Sequence, residues 1–130
     1  MAELKDLYKS ADWKTEKHAP VIEISGKAGK DSVLSVSLSI GKEIPHPNTT
    51  AHHIRWIGAY FLPKGEQFPY EVARCEFTSH GESVKGADTS TVYSVPEFNF
   101  KFKTGKPGTL LASSYCNIHG LWQGSKEIEG

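Results

Sequence analysis

Leu34-Ser35-Val36-Ser37-Leu38-Ser39-Ile40 is the stretch that decides the fold. Aliphatic residues alternate with serines, the period of two that sends successive side chains to opposite faces of a β-strand. One face suits a core and the other suits water. Phe98-Asn99-Phe100-Lys101-Phe102-Lys103 repeats the pattern with aromatic residues. Working outward, strands are predicted at Val21 to Ile24, Ile54 to Leu62, Tyr70 to Phe77, Val92 to Val95 and Thr109 to Tyr115. Turn clusters separate them: Gly26-Lys27-Ala28-Gly29, Pro63-Lys64-Gly65, His80-Gly81-Glu82 and Gly105-Lys106-Pro107-Gly108. Leu4, Leu7 and Tyr8 share helical spacing, which predicts a short N-terminal helix or packed arm. With no long helical pattern, the expectation is all-β: a seven-stranded immunoglobulin-like β-sandwich, one domain over residues 1–130. The strand order is not written in this pattern.

The totals restrict function. A chain of 130 residues can build one domain with a real core. Fifteen Lys+Arg against fifteen Asp+Glu gives a net charge of zero, without the basic excess that nucleic acid or an anionic membrane surface demands. The opening Met1-Ala2-Glu3-Leu4-Lys5-Asp6-Leu7-Tyr8 mixes charge with apolar residues and has no signal-peptide core. Apolar runs elsewhere fall far short of the roughly 20 residues that span a bilayer. A cytosolic setting is expected, where thiols stay reduced, so Cys75 and Cys116 are expected to be free. Cys75, inside an alternating strand, reads as a small buried hydrophobe.

Chemistry concentrates in the histidines. Of the six, His18 precedes Pro20 and the Val21 strand, His46 lies between Pro45 and Pro47, and His52 and His53 precede the Ile54 strand. His119 follows Cys116 by three residues and is followed by Gly120. His80, beside Gly81 in a turn, reads as an ordinary surface or hydrogen-bonded histidine. A thiolate and an imidazole three residues apart can close on one metal ion, and His46 with His52 offers two more nitrogens on one proline-restricted loop. Paired Cys-x-x-Cys knuckles of structural zinc are absent. A copper electron-transfer centre in a β-sandwich is the rival; its usual axial methionine is missing, since Met1 is the only one, and Gln123 stands as the possible substitute. Spacing alone leaves the metal open.

Three blocks narrow it. Glu16-Lys17-His18-Ala19-Pro20-Val21-Ile22-Glu23, Gly41-Lys42-Glu43-Ile44-Pro45-His46-Pro47-Asn48-Thr49-Thr50-Ala51-His52-His53-Ile54 and Ser114-Tyr115-Cys116-Asn117-Ile118-His119-Gly120-Leu121-Trp122 resemble, in order, the iron-binding blocks of superoxide reductases. With no four-cysteine rubredoxin-like module ahead of them, the chain resembles the one-iron, neelaredoxin-type form, related to the iron domain of desulfoferrodoxin. The resemblance implies one mononuclear non-haem iron with His18, His46, His52 and His119 as equatorial ligands and Cys116 as axial thiolate. His53 competes with His52; the spacing from His46 in the family selects His52, and strand alternation would turn His53 away. Glu16 is implied as the sixth ligand of the oxidised resting state, and Lys17 as a charge beside the open face.

The implied reaction is one-electron reduction of superoxide to hydrogen peroxide. A thiolate opposite the open position donates electron density across the iron, as in thiolate-ligated haem. Backbone N–H groups of Ile118 and His119 are expected donors to the sulfur. A small electron carrier such as rubredoxin is the implied donor, and a homotetramer the implied assembly. Trp13, Trp56 and Trp122 read as packing residues. The contrasting expectations are a cupredoxin-like copper protein and a metal-free immunoglobulin-like binding module.

Overall fold

Alternation becomes burial in the computed structural model, which describes residues 1–130. Strand β2 (Val33–Ser39) buries Leu34, Val36 and Leu38, while Ser35 stays exposed. It lies between β1 (Val21–Ser25) and β5 (Glu97–Lys103), antiparallel to both. Register sets Leu34 beside Phe102, Val36 beside Phe100 and Leu38 beside Phe98, so each aliphatic position continues into an aromatic one. The second sheet runs β4 (Tyr70–Glu76), β3 (Ile54–Pro63), β6 (Gly108–Cys116), β7 (Gly120–Ile128), again antiparallel. Ile57, Ala59 and Phe61 of β3 and Leu110 and Ala112 of β6 join the β2 residues in one core. Phe61 meets Phe102 of the other sheet with ring centroids 5.4 Å apart. Each fully buried Leu, Ile or Phe contributes about 1.5–3 kcal/mol, and this shared interior holds the sandwich together.

Seven strands form, but the set differs from the expected one at two places. Residues 92–95 make only an isolated bridge, Tyr93 with His80, and Val92 and Val95 are exposed. Their valines suggested a strand, but Pro96 follows at once and no neighbouring chain buries them. Residues 120–128 do form a strand, although Gln123, Ser125, Lys126 and Glu127 are exposed and give no apolar alternation. Hairpin pairing with β6 makes this strand, from Cys116 opposite Gly120 to Gly108 opposite Ile128. The N-terminus supplies both expected features. A short helix α1 (Leu4–Leu7) buries nothing, and the arm after it docks, Tyr8 sharing a 2.8 Å hydrogen bond with Ser113 and Lys9 bridging beside Trp122.

Strand ends at one pole gather the histidine blocks. Ile54 pairs with Cys116, which sets the start of β3, and His52 and His53 just before it, against the end of β6. Gly120 closes the β6–β7 turn at φ 80°, a left-handed conformation that favours glycine. Gly41, at φ 85°, lets the next loop fold back; a Cβ there would lie 2.6 Å from the His46 backbone nitrogen. Pro20 crosses β7 at Gly124, where a Cβ would come within 3.3 Å of the Pro20 carbonyl oxygen, and this crossing delivers His18 to the same pole.

Candidate metal centre

Four imidazoles form a closed ring of neighbours. Centroids lie 4.7 Å apart for His18 and His46, 4.8 Å for His46 and His52, 5.0 Å for His52 and His119, and 4.8 Å for His119 and His18. The measured diagonal, His18 to His52, is longer at 6.4 Å. Cys116, fully buried, places its sulfur 3.5 Å from His46 Nε2 and 4.0 Å from His119 Nδ1. Ligand atoms of His18, His52, Cys116 and His119 all lie within 4.8 Å of one another.

The bonds around the ring fix which nitrogens face inward. His46 Nδ1 lies 2.6 Å from the Pro47 carbonyl, which can only accept, so Nδ1 carries the proton and Nε2 keeps a lone pair toward Cys116. His18 Nδ1 lies 2.7 Å from Glu16 Oε1, leaving its Nε2 for the interior, 3.1 Å from His119 Nδ1. Burial is the main force lowering the pKa of His18, His46 and His52, against the raising effect of the Glu16 and Pro47 bonds. His46 falls to about 4. Neighbouring histidines and the Lys17 charge lower all three further. A lowered pKa favours the neutral ring, so these imidazoles keep lone pairs near neutral pH, as metal ligation requires.

Around them, Glu16 is half-buried: Oε1 also accepts the His18 backbone N–H, while Oε2 is buried with no partner. His53 and His80 are buried and stack on each other with centroids 3.4 Å apart, and His53 Nδ1 donates to the Thr49 carbonyl at 2.9 Å. His80 is thus a core histidine, its Nε2 donating to Phe77 at 2.7 Å. Of the two amides expected at the sulfur, His119 N–H makes the bond at 3.4 Å, whereas the Ile118 amide makes none. Cys75 is half-buried beside the core and, like Cys116, free.

Two residues near the ring escaped the sequence reading. Trp122 stacks on His18 at 4.8 Å and 12°, and its Nε1–H donates to the His119 carbonyl at 3.2 Å. Its indole therefore touches two of the histidine segments, although an aromatic in a strand gave no sign of it. Asn117 bonds to the loop carrying His52. Its place inside Cys116-Asn117-Ile118-His119 was the available clue.

The residues fit a metal. His52 Nε2 is buried beside the other donors with no hydrogen-bond partner, an arrangement that costs free energy unless something accepts its lone pair. Imidazoles with one thiol suit iron, copper or zinc. The copper reading loses its axial group, because Gln123 is exposed and its backbone is bonded to Lys9 on the β7 edge.

Fold and site together define a metal-binding β-sandwich protein. The desulfoferrodoxin family model matches residues 10–125. The chain belongs to the desulfoferrodoxin family. It is 53% identical to the neelaredoxin of Megalodesulfovibrio gigas over 123 residues, 95% of each chain. It is 54% identical to the superoxide reductase of Pyrococcus furiosus over 97% of this chain and 99% of that one. The solved structure of the superoxide reductase (neelaredoxin) from Archaeoglobus fulgidus in the reduced form superposes with a TM-score of 0.89 at 54% identity, covering 95% of this chain and 99% of the other.

Proposed function

We propose that this protein is a superoxide reductase in which His18, His46, His52, His119 and Cys116 hold one mononuclear iron. The observation that carries the reading is the ring of four imidazoles beside a fully buried cysteine sulfur, in a chain of this family. Iron held there would supply the one electron that, with two protons, converts superoxide to hydrogen peroxide.

The chain's own groups prepare that chemistry. Glu16 and the Pro47 carbonyl hold the outer protons of His18 and His46, which orients both rings and keeps their Nε2 atoms available. Cys116, as a thiolate, offsets part of the cation's charge, and the His119 N–H steadies the sulfur. The unpartnered Glu16 Oε2 is the oxygen this carboxylate would offer to the oxidised iron. A small carrier such as rubredoxin returns the electron, and the family resemblance implies a homotetramer of the 130-residue domain. Two free cysteines suit a reducing cytosol. No helix is long and apolar enough to cross a membrane.

Metal analysis of the purified protein, followed by reaction of its ferrous form with superoxide, tests this function. The expected result is one iron per chain and one peroxide per superoxide consumed. Stoichiometric copper, or no metal at all, would sink it.

Lys17 supplies local attraction that a neutral chain otherwise lacks. Its charge lowers the pKa of His18, His46 and His52, so the half-buried Lys17 is close enough to act on the cluster. Screening at physiological salt reaches about 8 Å, which leaves only such nearby charges to steer the superoxide anion. Lys17→Ala is expected to slow the ferrous reaction about tenfold and flatten its salt dependence, with iron content unchanged. Pulse radiolysis across a salt series reads both, and equal rates with equal slopes would return Lys17 to the role of a solvated lysine.

A further inference from the structure

We propose that Asn117 is a positioning residue that sets His52 into the metal cluster by clamping the backbone on both sides of it. The inference rests on the metal-centre reading above. Asn117 Nδ2 donates to the Ala51 carbonyl at 2.9 Å, and Asn117 Oδ1 accepts the His53 N–H at 2.9 Å. One carboxamide therefore brackets His52, using a donor and an acceptor in one rigid plane, a combination a hydroxyl or carboxylate does not offer in that shape. The Asn117 backbone N–H adds a third bond, to the His53 carbonyl at 3.2 Å.

The bracket joins two ligand-bearing loops. Within its own loop His52 is already tied to Thr49, whose Oγ1 accepts the His52 N–H at 3.0 Å and whose N–H donates to the His52 carbonyl at 2.9 Å. Those bonds shape the loop without placing it against Cys116 and His119. Asn117, between these two residues in sequence, does the placing. Ala51 is exposed, so water could satisfy its carbonyl, and the bond from Asn117 serves geometry more than desolvation. At the other arm, Ile54 pairs with Cys116, so the His53 backbone sits where the sheet already fixes it. A clamp from this anchor to Ala51 leaves His52 little freedom to swing out.

Groups that orient metal ligands are typically worth about 10- to 100-fold in metal affinity. Full-length Asn117→Ala is expected to bind Fe(II) about tenfold more weakly than wild type in anaerobic chelator competition, with a native circular-dichroism spectrum. In a His52→Ala background, adding Asn117→Ala is expected to change affinity less than about twofold, because the ligand it positions is gone. Asn117→Asp, which keeps the arm to His53 and sets an oxygen against the Ala51 carbonyl, is expected to weaken binding as well, and stands in if the alanine variant does not fold. Wild-type affinity in the folded variants, or the full tenfold loss repeated without His52, would overturn the proposal. Wild-type protein that binds no iron would instead strike the metal-centre reading beneath it.

Discussion

Cys116→Ser is expected to abolish superoxide reduction and to remove the sulfur-to-iron charge-transfer band of the oxidised protein. The fold should survive, because the neighbouring Ser113 and Ser114, at 6% and 1% exposure, show that this end of β6 tolerates buried hydroxyls. What disappears is the anionic, polarisable sulfur beside His46 and His119. A serine hydroxyl stays protonated near neutral pH and binds soft or borderline metals poorly. Iron affinity should fall by roughly 100-fold or more, beyond the usual effect of losing only an orienting group. Iron analysis, the visible spectrum and peroxide yield report on it together. A variant that kept its band and its yield would show that Cys116 is not the axial ligand.

The second large effect separates adjacent histidines. His52→Ala should cost iron affinity by roughly 100-fold, since its buried Nε2 has no other partner, while the fold loses little from a half-buried loop residue. His53→Ala should do the reverse. Its ring, 6% exposed and stacked on His80, leaves a cavity and frees the Thr49 carbonyl, costing about 2–4 kcal/mol of stability. Its iron content should stay close to wild type. Thermal melts and metal analysis of the two variants should therefore cross over; the opposite pattern would exchange the two residues' roles.

Much of this was legible because it depends on local pattern. Leu34 to Ile40 and Phe98 to Phe102 declared their strands by alternation, and the sheet uses them that way. Strand β7 was not legible, since its exposed Gln123, Ser125 and Glu127 carry no buried periodicity and its pairing is inherited from β6. Residues 92–95 misled for the opposite reason: valine favours strands, yet nothing pairs with this segment beyond one bridge. At the site, the types and spacing of the clustered residues stood in the sequence, as did the block order. The His18–His119 contact, the His53–His80 stack and the Trp122 contact join segments far apart in the chain, and no linear spacing encodes them.

His18 and His119 stand 101 positions apart in the chain, yet their ring nitrogens meet at 3.1 Å. An ion joining these side chains turns the polypeptide into a ring closed near both ends. The site exists only in the folded chain, so an ion that binds there stabilises the fold by mass action, about 2.7 kcal/mol when free metal is a hundredfold above its Kd. Iron would thus act as a staple as well as a reagent, and loading would sort the copies of the protein in a cell. Filled chains would persist, while unfilled ones would open more often and meet proteases first.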